Sequence, residues 1–249
     1  MIIDSKLFEQ AAEIILNSNR TCAFTGAGIS VESGIPTFRG ENGLWNKYDP
    51  GFLDINYFNN NTQKSWELIK EVFYDYFGKA VPNSAHYALA QLEADNHLQS
   101  IITQNIDNLH QRAGSINVIE YHGTSHKLVC IGCSKIYTAE DSFFKVLPPI
   151  CENCGAVLKP DFVFFGEPIP DIASKRAAQE IESSDLFILI GTTGEIMPAS
   201  MIPFQAKENN TKIIEINIRP SNYTNTIADI YLEGKATEVL ETLLNILKY

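Results

Sequence analysis

Four of the five cysteines stand as Cys130-x2-Cys133 and Cys151-x2-Cys154, with seventeen residues between the pairs. Thiolates at that spacing read as a four-sulfur zinc site, closed and structural rather than catalytic. The fifth, Cys22, lies far away in an apolar run. Two neighbouring CxxC pairs plus an orphan make a poor disulfide framework. Reduced thiols fit the cytosol, where this chain is expected to reside.

Other segments carry groups suited to holding a ligand. Residues 21–40 read TCAFTGAGISVESGIPTFRG. A strand there runs into Gly26-Ala27-Gly28, where glycine permits a tight turn and lets backbone amides approach a phosphate. The run departs from G-x-G-x-x-G, because Ser30 and Val31 occupy the place of the third glycine. A sharp strand-to-helix turn without a ligand is the alternative. Phe38-Arg39 follows on a loop, where Arg suits a phosphate and Phe a ring. In TQNIDNLH, residues 103–110, the polar groups of Gln104, Asn105 and Asp107 crowd the end of an apolar strand. They suit hydroxyls and a carboxamide; capping of the next helix is the alternative. His122 ends another apolar strand and precedes Gly123, a place for a general base near neutral pH, with a structural histidine as the alternative.

PDFVFFGEPIP, residues 160–170, is too apolar for a casual surface loop, yet its prolines argue against a central strand. It suits an acyl channel or edge pairing with a peptide, with plain core packing as the alternative. GTTGEIMPAS, INIRP and EGKA add glycine, hydroxyl and amide groups after further apolar runs, at Gly191, Thr192, Thr193 and Asn217. Ordinary turn chemistry is the alternative there.

The elements that must position these groups follow from periodicity. Residues 21–24, 100–103, 118–121, 185–190 and 212–218 are short apolar runs, as in a parallel sheet buried on both faces. Helical patterns fall at 5–18 after a cap at Asp4, and at 65–79, 83–95, 171–183, 197–209 and 235–247. Strand alternating with helix predicts an α/β fold with a doubly wound, Rossmann-like parallel sheet. The segment 124–159 breaks that alternation and holds all four paired cysteines. It is expected as a zinc-binding module inserted in a large domain made of 1–123 and 160–249, with helical material added from about 40–80.

Composition excludes other classes. The 249 residues are 45% hydrophobic and 20% charged, enough for a core and unlike a disordered chain. The net charge of −11 argues against bulk electrostatic binding of nucleic acid. No apolar run approaches the ~20 residues of a membrane span, and the N-terminus lacks the pattern of a signal peptide. Neither nucleic acid nor membrane is expected as a partner.

Taken in order, GAGIS, SGIP-x-FRG, TQN-ID-LH, HG, the paired CxxC, FFGE, GTT and IN resemble the sirtuins, the Sir2 family of NAD-dependent protein deacylases. The resemblance runs from about Thr21 to Ala236. It implies that Gly26, Ala27, Gly28, Phe38 and Arg39 contact NAD. Gln104 and Asn105 would face the nicotinamide ribose, and Ile106 and Asp107 the carboxamide. His122 would be the general base, and Asn105 and Asp107 would share in catalysis. Gly191, Thr192, Thr193, Asn217, Lys235 and Ala236 would hold the adenosine half. Val163, Phe164, Gly166 and Glu167 would flank the acyl-lysine, with Glu195 or Ile196 beside the peptide. Zn²⁺ would sit on Cys130, Cys133, Cys151 and Cys154.

The implied reaction starts with the acyl oxygen of a modified lysine attacking C1′ of the nicotinamide ribose. It ends with free lysine, nicotinamide and O-acyl-ADP-ribose. An ADP-ribosyltransferase or NAD glycohydrolase would use the same pocket; a non-catalytic NAD-binding module would not need His122, Asn105 and Asp107 together. Two departures from the family pattern bear on peptide recognition: Thr37 in place of Asp, and GTTGEIMPAS in place of a more apolar stretch. Sirtuins that prefer succinyl or malonyl lysine carry Tyr-x-x-Arg in the helix before PN-x-AH. Here Tyr74 is followed by Phe77 and Tyr76 by Lys79, and no Arg occurs between Gly40 and Gln111. Acetyl or longer apolar chains are therefore expected.

Overall fold

The computed structural model describes residues 5–41 and 43–248. Asp4, expected as the first helix cap, lies outside them. The strands in chain order are β1 (Thr21–Thr25), β2 (Ser100–Thr103), β3 (Val118–Glu120), β4 (Gly123–Cys130), β5 (Ile136–Thr138), β6 (Leu158–Phe162), β7 (Leu186–Ile190), β8 (Lys212–Asn217) and β9 (Ile230–Glu233). The helices are α1 (Ser5–Asn17), α2 (Ile55–Asn60), α3 (Thr62–Ile69), α4 (Ser84–Ala94), α5 (Leu109–Ala113), α6 (Asp171–Ser183), α7 (Met201–Glu208) and α8 (Ala236–Leu247).

Six strands form one sheet in the order β3-β2-β1-β7-β8-β9, every pair parallel. Every residue of β1, β2 and β7 is buried, so these strands read as unbroken apolar runs rather than alternating ones. Side chains still alternate between faces. Ala23 shares one core with Ile15 of α1, Leu89 of α4 and Leu243 of α8, while Cys22 and Phe24 share the other with Ala177 of α6 and Ile202 of α7. Each fully buried Leu or Ile stabilises this packing by about 1.5–3 kcal/mol. The strand order reverses between β1 and β7, and a ligand crevice in such a sheet opens beyond the strand ends at that point.

A second, antiparallel sheet, β5-β4-β6, follows β3 and carries the cysteines. Its core is shared with residues from 44 to 77, among them Phe58, Trp66 and Phe73 against Leu128 and Leu158. The Trp66 indole donates to the Leu158 carbonyl at 2.9 Å, joining the two segments.

Three expectations change. The helix expected over 65–79 is α3, then a π-helical stretch Lys70–Tyr76, then a 3-10 turn Phe77–Lys79. The wider turn swings Tyr74 inward, where its ring lies 4.1 Å from Phe144. The helix expected from 197 begins at Met201, because residues 197–200 form turns around Pro198. The edge strand β9 was not expected: its four residues alternate between buried Ile230 and Leu232 and open Tyr231 and Glu233, but the run is too short to stand out.

Candidate active site

The turns after β1 and β7 meet backbone to backbone. Gly26 N donates to Ile190 O at 3.0 Å and Gly28 N to Gly191 O at 2.8 Å. A Cβ on Gly28 would stand 2.6 Å from Gly191 Cα, and Gly191 itself sits at φ +61°. Glycine is required here by the approach of the two loops. The two amides expected to face a phosphate bond the neighbouring loop instead. Ala27 opens a 3-10 helix, Ala27–Ser33, directly above them.

Beneath this turn lies a buried polar network. Asn105 Nδ2 donates to Gly26 O at 3.1 Å and to Ser30 Oγ at 3.2 Å. Ser30 Oγ donates to Asp107 Oδ2 at 2.7 Å, while Asp107 Oδ1 accepts from Leu109 N at 3.0 Å. Asp107 thus caps α5 and belongs to the crevice at once, whereas Asn105 is no cap. Burial pushes the Asp107 carboxyl upward against these hydrogen bonds. Asn105 N donates to Thr103 Oγ1, which accepts from Thr25 Oγ1 at 2.9 Å, and Thr25 in turn meets His110 Nε2 at 2.9 Å. His86 lies edge-on to His110 at 5.0 Å and 3.5 Å from Ser30 Oγ. Burial pushes His86 down to about 4 and His110 well below its usual range, so both rings are neutral. His110 is thus buried in this network and hydrogen-bonded to Thr25.

His122 follows β3 and is half buried. Its Nδ1 lies 3.0 Å from Gln104 O. A carbonyl can only accept, so the neutral ring carries its proton on Nδ1, leaving the Nε2 lone pair as the basic site. Burial lowers the pKa of His122, and the Gln104 contact works in the opposite direction. The base form therefore persists below the ordinary histidine range.

Gln104 Nε2 also donates to Thr192 Oγ1 at 3.0 Å, and Asn217 Nδ2 to Thr192 O at 2.9 Å. Thr192 thus links the ends of β2, β7 and β8. Thr193 O accepts from Asn222 N, and Gly234 N donates to Asn217 O at 3.0 Å. The latter bond brings Lys235 and Ala236, at the start of α8, beside the end of β8. Lys235 Nζ is 4.0 Å from Glu32. Ile106 O accepts from Ser125 N and Oγ. Phe38 packs on Trp45 at 5.2 Å, and Arg39 is exposed. The Thr37 hydroxyl donates to Arg39 O at 2.7 Å, a bond that an ionised Asp could not donate. Glu195 is exposed and Ile196 half buried, in the loop after Gly194.

Residues 163–167 need a correction. Phe164 is 1% exposed and packs on Phe58 and Phe162, so it does not line an open cleft. Period-two alternation turns Val163 and Phe165 outward instead, and Phe165 is 45% exposed. Val163 N donates to His122 O at 2.9 Å, placing this segment beside the imidazole. Phe165 N donates to Leu53 O and its carbonyl accepts from Ile55 N. Gly166 adopts φ +90°, which favours glycine. Glu167 turns back toward Lys159 rather than outward. Ser30, His86, Lys159 and Phe165 were not assigned from the sequence. Alternation about Phe164 and the lone basic residue within LKPDF were the available signals.

The four paired cysteines converge, with all ligand atoms within 4.8 Å of one another. Cys130 Sγ is 3.3 Å from Cys154 Sγ, and Cys133 Sγ 3.7 Å from Cys151 Sγ. Gly132 N and Cys133 N point at Cys130 Sγ, and Tyr137 OH at Cys151 Sγ. Four sulfurs with N–H and O–H donors aimed at them suit a tetrahedral thiolate site for zinc. Cys22 stands apart, buried, with its thiol pushed up to about 12.

A doubly wound parallel sheet with a polar crevice at its strand-order reversal is the architecture of the Rossmann-like class, whose ligands bind at that point. The Sir2 family model matches residues 26–198, and the chain belongs to the Sir2 family. It is 42% identical over 241 residues to NAD-dependent protein deacylase 2 of Pyrobaculum aerophilum, covering 95% of this chain and 94% of that protein. A mutant Sir2 homologue solved with ADP ribose superposes with a TM-score of 0.90 at 40% identity, covering 96% of each chain. Sir2Tm bound to a propionylated peptide gives 0.87 at 32% identity, over 96% of this chain and 97% of the other. No helix among the described residues is long and apolar enough to cross a membrane.

Proposed function

We propose that this chain is an NAD-dependent protein-lysine deacylase that removes acyl groups from lysine side chains of protein or peptide substrates and works in the reducing cytosol. One observation carries the reading. His122 Nδ1 is held on Gln104 O, leaving Nε2 basic, and His122 O holds Val163 of the aromatic segment beside it. A base fixed between the crevice and an apolar flank suits a ribose hydroxyl on one side and an acyl-lysine on the other.

NAD fits the crevice by the chemistry of the residues present. The loop contact at Gly26, Gly28 and Gly191 leaves no room for a Cβ. When bound, NAD supplies an electrophilic ribose C1′ and nicotinamide as leaving group. Asp107 and Ile106 hold the carboxamide, and Gln104 and Asn105 orient the ribose. Ala27, Phe38 and Arg39 cover the cofactor. Gly191, Thr192, Thr193, Asn217, Lys235 and Ala236 hold the adenosine half. Val163 and Phe165 flank the acyl-lysine, with Gly166 admitting the close chain, and Glu195 or Ile196 borders the peptide. Ser30 orients Asn105 and Asp107 from below. His122 would take the proton of a ribose hydroxyl once nicotinamide has left, freeing that oxygen to bond the acyl carbon; with one water consumed to release the amine, the products would be free lysine, nicotinamide and O-acyl-ADP-ribose.

Cys130, Cys133, Cys151 and Cys154 would hold one structural Zn²⁺ that stabilises the module 124–159 inserted in the large domain of 1–123 and 160–249, with 40–80 completing the module's helical half. The test is nicotinamide release from NAD with and without acetyl-lysine peptide. Release that depends on the peptide supports a deacylase. Equal release without it would identify an NAD glycohydrolase and overturn the reading.

A further inference from the structure

The segment Val163–Glu167 is built around one buried ammonium. Lys159, on β6, is 6% exposed. Its Nζ donates to Phe162 O at 2.7 Å and Pro160 O at 3.1 Å, and lies 2.9 Å from Glu167 Oε2. All three neighbours can only accept, so they match the three N–H donors of a protonated amine. The Phe164 ring lies 4.0 Å from the same Nζ. Glu167 Oε2 also accepts from Phe164 N at 2.8 Å. One cation therefore fixes a carbonyl at 162, a ring and amide at 164, and a carboxylate at 167.

The outer side of this segment is tethered elsewhere. Val163 N bonds to His122 O, and Phe165 bonds through N and O to Leu53 and Ile55. With Phe164 drawn inward over the ammonium, alternation sets Val163 and Phe165 outward. We propose that Lys159 is a positioning residue for the acyl-lysine substrate: it sets the conformation in which Val163 and Phe165 face that substrate beside His122, without touching substrate itself. The proposal rests on the deacylase reading above. It extends that reading by assigning peptide affinity to a buried side chain outside the cleft.

The physical basis is asymmetry. A buried ion pair contributes little against an apolar replacement that fills the same space, but removing one partner leaves its acceptors stranded. Lys159→Met keeps the apolar stem and strands the carbonyls of Pro160 and Phe162. Glu167, at 26% side-chain exposure, can recover water and swing out. The segment should then lose its fixed shape while the network of Asn105, Asp107 and Ser30 remains intact.

The test measures steady-state kinetics and hydrogen exchange on the zinc-loaded full chain. Lys159→Met should raise KM for an acetyl-lysine peptide about tenfold, as expected from losing hydrogen bonds to a charged group. KM for NAD and kcat at saturating peptide should stay within about twofold, and the acid limb of kcat should not move. Amide exchange should rise in residues 162–167 and not at the ends of β1 and β7. Lys159→Arg should restore most of the peptide KM, since it returns a cation with several donors. If Lys159→Met fails to fold, Glu167→Gln serves: it keeps an acceptor for Phe164 N, removes the charge, and should raise peptide KM by a smaller factor. Unchanged exchange in 162–167, or equal rises in KM for NAD and for peptide, would overturn the proposal. Failure of the deacylase reading appears separately, as a wild-type protein without peptide-dependent nicotinamide release, and the exchange result still decides whether Lys159 orders the segment.

Discussion

At the scale of single residues, the proposed chemistry turns on which nitrogen of His122 is basic. The Gln104 carbonyl fixes the tautomer, and burial keeps the ring neutral below the usual range. Replacing it should therefore remove proton transfer and little else. His122→Ala is expected to lower deacylation by ~10²-fold or more while leaving the Kd for NAD largely unchanged. Turnover near that of the wild type would exclude His122 as the base. The same tautomer sets a sign for pH. Only neutral His122 accepts a proton, so kcat/KM should rise with pH through a pKa below the ordinary histidine value and then level off. A titration midpoint above 7 would contradict the buried, neutral ring. The position of His122 at the crevice was legible in the sequence, because it ends an apolar run before Gly123. Phe164 was misassigned because FF reads as one apolar block until the strand fixes which ring turns inward.

At the scale of elements, the route from α3 to α4 bears on acyl choice. The π-helical stretch places Tyr74 between Trp66 and Phe144, with its hydroxyl on Ser125 O at 3.0 Å. That tyrosine is committed to the core. Lys70 is paired with Asp75 at 2.7 Å, and Tyr76 is exposed. Lys79 is exposed too, a point charge at a helix end rather than a bidentate fork. An acyl carboxylate buried here without a partner would cost several kcal/mol. Acetyl peptide should accordingly exceed its succinyl counterpart in kcat/KM by about tenfold or more. A succinyl preference would mean that Lys70 or Lys79 leaves its present place to meet the carboxylate.

The cysteine loops make the second prediction at this scale. Cys130 closes β4, and Cys151 and Cys154 lie just before β6, so thiolate ligation ties the two strands that frame the FFGE segment. Cys130→Ala or chelation should release one equivalent of zinc and lower the Tm of this module, with activity lost only as the fold is lost. Protein purified under reducing conditions without chelator and found free of zinc would refute it. The cysteine spacing was plain in the sequence, as were five strands of the large sheet, because buried parallel strands leave unbroken apolar runs. The π-helical stretch and β9 were not: the first is a backbone deviation that leaves no mark in residue type, and the second is only four residues long.

At the scale of the whole molecule, the polar network under the crevice makes stability depend on pH. His86 lies on α4, His110 on α5, Ser30 above β1 and Asp107 after β2, so their contacts join several elements beneath one site. His86 is fully buried and neutral in the fold, with its pKa lowered from 6.5 to about 4. Unfolded, it binds a proton near pH 6.5. Between those values the unfolded chain holds more protons, so stability falls as pH falls. Over that window His86 alone removes about 3 kcal/mol, and His110 acts in the same direction. Asp107 works oppositely. Its raised pKa means that acidification relieves a buried charge, so its contribution improves only as pH falls through the carboxylate range. The net expectation is a urea midpoint that drops steadily from pH 7 to pH 5, before the carboxylate term enters. Protonation of the cysteine sulfurs also releases zinc in acid, so the comparison is made against His86→Asn with the cysteine site intact. That variant should be less stable at pH 7 yet show a shallower decline toward pH 5. A slope equal to that of the wild-type protein would show that His86 is not what ties the crevice to the stability of the fold.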